Sequence, residues 1–457
     1  MSFRYLLKYR NFDFYTCSFL ALSFFLLFYI IFMCTSAEAI DKTSDDLNLE
    51  FEIPGVEKKS YEFRLELKSL ETIRGLNKDS TLFLQKHPDG HDDKILYKTD
   101  LDIKLEARYY AKITRFYGRL KENLAYNDEE SWENNLKTEE LYVSFQPSPS
   151  IGIDAGKKVL KWGKGYAWNP VTFFSRPKDL DDPDLTLEGY YVFSGDFIKS
   201  MQGPIKTFAL TPVILPVSGN INDEWGSDRE ILFGGKAYFF AYDTDLDFMF
   251  LLGNEINDRI GLSFSKNIST NFEIHGEAAI VFDYTKHLTD KQGKGIEKKY
   301  DAKDFLLGIR YLSARDTTYI LEYYRNGQGY TEYEIKDYFS FIQAGYDSYI
   351  NSQNMGDMLA GRMYGSRYYN KQTVMRDYLY LKVSHNEPFD IVYLTPSLTC
   401  IYNINDTSGS IAPQITYSPI TNLEFDLKTI FLFGEDNTEY GEKLHDYKVV
   451  VSLKYYF

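Results

Sequence analysis

The last eleven residues of the chain, Tyr447 to Phe457, read YKVVVSLKYYF and alternate with a period of two. Phe457, Tyr455, Leu453, Val451, Val449 and Tyr447 share one face, while Tyr456, Lys454, Ser452, Val450, Lys448 and Asp446 fall on the other. That period belongs to an extended strand, whose successive side chains leave on opposite sides. The apolar face is aromatic at both ends and aliphatic between them. A strand that crosses a lipid slab and sets rings at its two interfaces has this profile.

The rest of the chain agrees with one large sheet. Its 457 residues contain no linker rich in Pro, Gly or Ser, and 39 Tyr and 34 Phe are spread along it while mean hydropathy is −0.37. Apolar residues at every second position give that composition, since each strand offers only half its side chains to lipid. The one continuous apolar run, Phe14 to Met33, follows Arg4, Lys8 and Arg10 and precedes Ala37-Glu38-Ala39. A basic start, an apolar middle and an A-x-A site predict a signal peptide over residues 1–39, with a retained helical anchor as the alternative. Cys17 and Cys34 leave with that peptide, so only Cys400 remains and no intramolecular disulfide is expected. Residues 40–59 are polar and acidic and make a short periplasmic lead-in to a barrel over 60–457. The net charge of −15 argues against nucleic acid as a partner.

The C-terminal Phe457 resembles the closing-strand signal of bacterial outer-membrane barrels. The resemblance implies a place in outer-membrane lipid and recognition of Phe457 by the barrel-assembly machinery. Read backwards from that strand, the chain shows tight turns near 147–150, 202–204, 243–245, 267–270, 314–316, 386–388 and 418–421, and a flip of parity predicts a turn or bulge near Thr114-Arg115. Each carries residues that suit a turn. Longer connections lie at 126–135, 163–186, 216–230, 284–303, 325–375, 402–410 and 434–445. Counting puts every tight turn on one side and every long loop on the other, as in an outer-membrane barrel. The expected fold is all-β, a transmembrane antiparallel β-barrel of about 18 strands, with 16 as the alternative. Such a barrel closes on itself, so a monomer is expected. The loop 325–375 loses its alternation between Tyr338 and Met363 and predicts one or two short helices, as a lid or as a plug for the lumen.

The same alternation assigns the lumen. With Phe248, Phe250 and Leu252 toward lipid, Asp247 turns inward; with Ile274 and Ile280 outside, Glu273, His275 and Glu277 turn inward. Arg310 and Glu322 follow by the same parity, as do Glu424, Asp426 and Lys428 on the penultimate strand. Lys236, Lys382, Lys448 and Lys454 complete a wall that carries both signs, which suits water and a hydrophilic solute.

One stretch is unlike an ordinary strand and loop. Residues 152–184 read GIDAGKKVLKWGKGYAWNPVTFFSRPKDLDDPD, with a break in alternation at Gly156-Lys157-Lys158 and sharp-turning glycines around Trp162. So many aromatics seldom sit on an exposed loop, and the segment is expected to fold back onto the inner wall or the rim. Lys157, Lys158, Lys161, Arg176 and Lys178 would then offer cations at a constriction, opposed by Asp179, Asp181 and Asp182. Trp162, Tyr166 and Trp168 could stack on sugar faces or pack the loop against the wall. The run Gly156-Lys157-Lys158-Val159-Leu160-Lys161-Trp162-Gly163 resembles the G-[RK]-[QK]-x-x-x-W-G signature of outer-membrane barrels related to alginate-export proteins. The resemblance covers about fifty residues and implies a large monomeric barrel that moves a polar solute or polysaccharide. Lys157 stands where Arg is commoner, and no dense arginine lining accompanies it.

No catalytic motif stands out: G-x-S-x-G, a GKS or GKT loop and H-E-x-x-H are all absent from the sequence. HPDGHDD at 87–93 has donors for a divalent ion but reads as a polar loop tip, so no metal or other cofactor is expected. A porin-like channel or exporter is therefore expected, with a sealed surface barrel and, more remotely, a barrel enzyme as alternatives.

Overall fold

The computed structural model describes residues 60–457 apart from 92, 128–130, 182–187 and 227–228. The expected signal peptide, the lead-in and Asp182 lie outside the described residues. Alternation is realised as eighteen strands in one antiparallel sheet. The first half comprises β1 (Tyr61–Leu76), β2 (Ile95–Ala111), β3 (Thr114–Asn127), β4 (Ser131–Ser148), β5 (Ile151–Lys158), β6 (Tyr190–Ser200), β7 (Ile205–Val217), β8 (Glu230–Ala241) and β9 (Thr244–Leu252). The second comprises β10 (Arg259–Ser269), β11 (Phe272–Thr289), β12 (Gly295–Leu312), β13 (Thr317–Arg325), β14 (Asp377–His385), β15 (Leu394–Asn403), β16 (Ser408–Ile420), β17 (Leu423–Phe433) and β18 (His445–Tyr456).

Each strand pairs with its sequence neighbours, and β1 pairs with β18 from Glu66 opposite Tyr456 to Leu76 opposite His445, which closes the barrel. The N–H of Phe457 extends that seam to the carbonyl of Leu65 at 2.9 Å. Closure leaves no free edge, as lipid requires of a spanning sheet. Phe248, Phe250, Phe305, Leu307, Tyr319 and Leu321 are more than 40 % exposed on the outer surface, whereas their inner neighbours Asp247, Met249, Leu306 and Glu322 are at most 3 % exposed. A one-residue slip would exchange these sets, so burial of one face fixes the register.

Tight turns and long loops segregate to opposite ends, termed here the turn end and the loop end. The expected turn near Thr114 is made by Lys112 and Ile113, with Lys112 at φ +52°. Two expected loops are corrected, the first being 126–135, where β3 runs to Asn127 and β4 starts at Ser131. Residues 284–303 mostly continue β11 and β12 beyond a bulge at Val281–Tyr284, and only 290–294 turn. Polar residues on both faces of that extension hid the strand from a test based on lipid-facing alternation.

Helices occur at the loop end. α1 (Thr81–Lys86) follows β1, and α2 (Glu332–Ser352) and α3 (Gly356–Tyr364) lie between β13 and β14. Thr331 and Glu334 form a reciprocal cap at the start of α2, each side chain taking the other residue's backbone N–H. The buried face of α2, with Ile335, Tyr338, Phe339 and Ile342, packs on Tyr324, Tyr378 and Tyr380 from the inner wall. The expected helices are present and cap part of the lumen.

Candidate functional site: the lumen and its inward loop

Between Lys158 and Tyr190, residues 159–181 of the connection fold into the lumen. Its first half seats on an inner wall that is locally apolar: Leu160, Trp162, Val171, Phe173 and Phe174 pack with Val213, Leu215, Leu232, Met249 and Leu251 of β7, β8 and β9. Two strand glycines make room for the rings. A Cβ on Gly234 would lie 2.3 Å from Phe174 Cζ, and one on Gly261 would lie 2.9 Å from Val171. Glycine inside a strand often marks such a close approach.

Two wall carboxylates then hold the tip of the loop by its backbone. Glu277 on β11 accepts from the N–H groups of Lys164, Gly165 (2.8 Å) and Val171 (3.3 Å) and from the Asn169 amide (3.0 Å). Glu322 on β13 accepts from the N–H groups of Tyr166 (2.5 Å) and Ala167 (2.9 Å) and meets His275 Nε2 at 2.9 Å. Both carboxylates are almost wholly buried, at 2 % and 0 % exposure. Backbone N–H groups converging on a carboxylate make charge-assisted bonds of roughly twice the ordinary strength. Lys164 adds an ion pair to Asp247 at 3.1 Å, and Tyr166 lies edge-on to His275 with its hydroxyl 3.3 Å from Glu273.

Beyond the tip, Trp168 stacks on Tyr324 at 5.1 Å and donates its indole N–H to Thr373 at 3.1 Å. Lys178 returns to the carbonyls of Gly165 and Tyr166 at 2.8 and 2.9 Å, and Asp181 meets Lys448 of β18 while its carbonyl accepts from Lys428 of β17. A single loop from β5 thus contacts β8, β11, β13 and then β17 and β18, and so crosses the lumen.

The expected site residues divide accordingly. Lys158 faces inward on Asp154, and its ammonium lies 5.3 Å from the Tyr142 ring. Lys157 is a correction: it sits opposite Leu141 and Tyr191, both exposed on the outer surface, and pairs there with Glu188. The alternation continues through Gly156-Lys157-Lys158, so the two lysines point to opposite faces. Lys161 is exposed on the loop. Trp162 and Trp168 are buried at 7 % and 6 % exposure, so their faces are spent on packing and a sugar cannot stack on them. Arg176 bonds Glu224 and lies over Tyr190, at the edge of the segment and not in its middle. Asp179 accepts the N–H of Asp181, and Asp181 answers wall lysines and not the lysines of its own loop.

The lumen residues lie where parity puts them. Lys236 is 3.7 Å from Asp247 and stands over Trp162; Arg310 sits opposite Glu273, and Lys382 opposite Ile320 and Thr399. Glu424 pairs with Lys454 at 2.5 Å, and Asp426 accepts from Thr416 at 2.5 Å. What parity could not give is the partner: it turns Glu277 and Glu322 inward without saying that they hold a loop. Their signal lies in the neighbouring wall, where Val213, Leu215, Met249 and Leu251 make both faces of β7 and β9 apolar.

Coverage of the wall is uneven. The inward loop and the helical cap pack on β7 to β15, whereas several ion pairs on β1, β2, β3 and β18 keep partial contact with solvent, although Arg119 of β3 is buried with Glu139 and Glu140 of β4. Partly exposed charges are not confined to that arc: Lys236 of β8, beside the loop, is 23 % exposed, and the far end of the loop meets β18 at Lys448.

No protein-family model and no curated protein matches the sequence. Solved structures do match in fold. They include OccK11 (OpdR) of Pseudomonas aeruginosa, with a TM-score of 0.50 and 10 % identity over 87 % of this chain and 96 % of that one. OccK5 (OpdH) of the same organism gives 0.50 and 11 %, and OccAB2 of Acinetobacter baumannii 0.50 and 8 %, each over 87 % of this chain and 98 % of the other. These are outer-membrane porin barrels. The present chain has the same architecture, a closed antiparallel barrel of eighteen strands. At such identities the likeness concerns the fold, and the chemistry of the lumen has to be argued from this chain's own residues.

Proposed function

We propose that the protein is a porin-like channel through which a polar solute crosses the outer membrane, with the turn end in the periplasm and the loop residues 159–181 as its constriction. The observation that carries this reading is the uneven lumen. A loop clamped on β11 and β13 and crossing to β17 and β18 narrows an eighteen-strand barrel, while wall charges of both signs beside it keep partial contact with water. Eighteen strands enclose more cross-section than side chains alone can fill, and alternating fixed charges favour a hydrated polar solute over an apolar one. The likeness to porin barrels points the same way and away from an enzyme. The Gly156–Gly163 resemblance to alginate-export barrels extends the solute class to polysaccharides, although the expected lysine wall is reduced by the outward turn of Lys157.

The test is single-channel conductance of the refolded protein in a planar bilayer, repeated after deletion of 163–186. Steady openings that enlarge on deletion are expected. Silence from both proteins, once folded and inserted, would replace the channel with a sealed surface barrel.

A further inference from the structure

A cavity beneath the helical cap is used by nothing described so far. It encloses about 540 Å³ between α1, α2, α3, the segment after α3 and the connection from β17 to β18, a size that holds a solute of one or two rings. Its floor is apolar: Leu82, Ile335, Phe339 and Val374 surround Tyr338 and Tyr369, whose rings stack 3.8 Å apart at 8°.

Cations reach it from separate elements. Lys86 comes from α1, Arg362 from α3, Lys371 from the segment after α3 and Lys443 from the connection into β18. Three of them are held in place by contacts of their own. Arg362 Nε donates to the carbonyl of Gln85 at 3.0 Å, Lys371 to the Tyr284 hydroxyl at 3.2 Å, and Lys443 rests 5.9 Å from the centre of the Tyr440 ring. The only carboxylate among the described lining residues, Glu439, is 3 % exposed and engaged elsewhere, accepting from Tyr378 at 2.7 Å, Asn403 at 2.8 Å and the N–H of Val374 at 3.3 Å. Burial raises this carboxyl above its ordinary value. The Lys443 ammonium works against that rise, so this one carboxyl offsets at most part of the charge of the four cations.

We propose that this cavity binds a ring-bearing solute with more than one negative charge, of the class of phosphate monoesters of ring compounds. The monoester group carries nearly two charges on three acceptor oxygens and can meet cations from more than one element, while the ring fills the apolar floor. The site would capture the solute before it enters the lumen. That last step rests on the channel reading; binding does not.

Calorimetric titration of the refolded full chain in detergent tests this, with 4-nitrophenyl phosphate as the probe and inorganic phosphate and 4-nitrophenol as its two halves. The ester is expected to bind at least tenfold more tightly than either half. The double variant Lys371→Glu/Lys443→Glu should weaken it at least tenfold, and the milder Lys443→Gln about threefold, with unchanged circular dichroism certifying the fold of each. Equal affinity for phosphate and ester, indifference of the folded variants, or no binding at all would overturn the assignment. A conducting channel that binds no ester removes this site alone, and a silent barrel that binds it removes only the channel.

Discussion

Replacing Glu277 by alanine tests whether the loop is held by the wall or merely rests against it. The carboxylate accepts from four donors, and the N–H groups of Gly165 and Val171 lie on buried residues. A buried N–H left without an acceptor costs about 1–3 kcal/mol, so two of them give about 4 kcal/mol at mid-range. Each 1.4 kcal/mol is about tenfold in an equilibrium, and the fraction of molecules with the loop tip detached should therefore rise about a thousandfold. Glu277→Gln should cost less, because one carbonyl oxygen can still take the three donors that meet Oε1, whereas its amide would face the N–H of Val171. Hydrogen exchange at Gly165, Tyr166, Ala167 and Val171 reads the detachment directly, and single-channel conductance reads its effect on the bore. The strand ladder is untouched, so global melting should change little. Exchange in 164–171 that stays within a few-fold of the parent protein would show that packing, and not the carboxylate, seats the loop.

Three other outcomes follow from the same geometry. Gly234→Ala should unseat Phe174 at about 1–3 kcal/mol, since its Cβ would lie 2.3 Å from Phe174 Cζ and 2.4 Å from the Phe250 carbonyl oxygen; faster exchange at 172–176 and a lower melting temperature would report it. Trp168→Ala should cost about 3–5 kcal/mol by emptying a buried aromatic site, seen as loss of near-ultraviolet dichroism and a lower melting temperature. Burial alone would raise the Glu334 carboxyl, but the Lys286 ammonium, the N–H of Thr331 and Lys298 outweigh it and hold the group at about 2. A carboxyl lowered in the folded state stabilises above its unfolded value and loses that contribution as pH falls through the folded one. Proteolytic protection of α2 should thus hold from neutral pH down to about 4 and fall toward pH 2, whereas Glu334→Gln should be less protected at neutral pH and flat across that window.

The barrel was legible because lipid imposes a rule on every strand. Phe248, Phe305 and Leu321 had to face out, and their neighbours Asp247, Asp304 and Glu322 had to face in. Where lipid is absent the rule lapses, and β11 and β12 beyond Tyr284 read in the sequence as a loop although they pair up to Thr289 and Gly295. The inward segment was legible from its aromatics, but their role was not, since Trp162 and Trp168 look alike whether they await a ligand or fill a wall. Lys157 was misplaced because a strand's parity continued where the glycine beside it suggested a break. The capped cavity was beyond the sequence altogether: Lys86, Arg362, Lys371 and Lys443 come from distant segments and meet only after the loops have folded.

A barrel braced on one flank is not equally stiff all round. Close-packed interiors resist deformation, so the wall from β7 to β15, backed by the loop and the cap, behaves as a rigid half-shell. The remaining arc, which includes the seam between β1 and β18, has its strand ladders and ion pairs such as Lys104–Glu66 but little packed behind it. Thermal motion and lateral pressure from the bilayer will therefore be taken up mainly by that arc. In the channel proposed above, the largest solute that passes would be set by the compliance of that thin wall and should vary with the tension of the surrounding membrane.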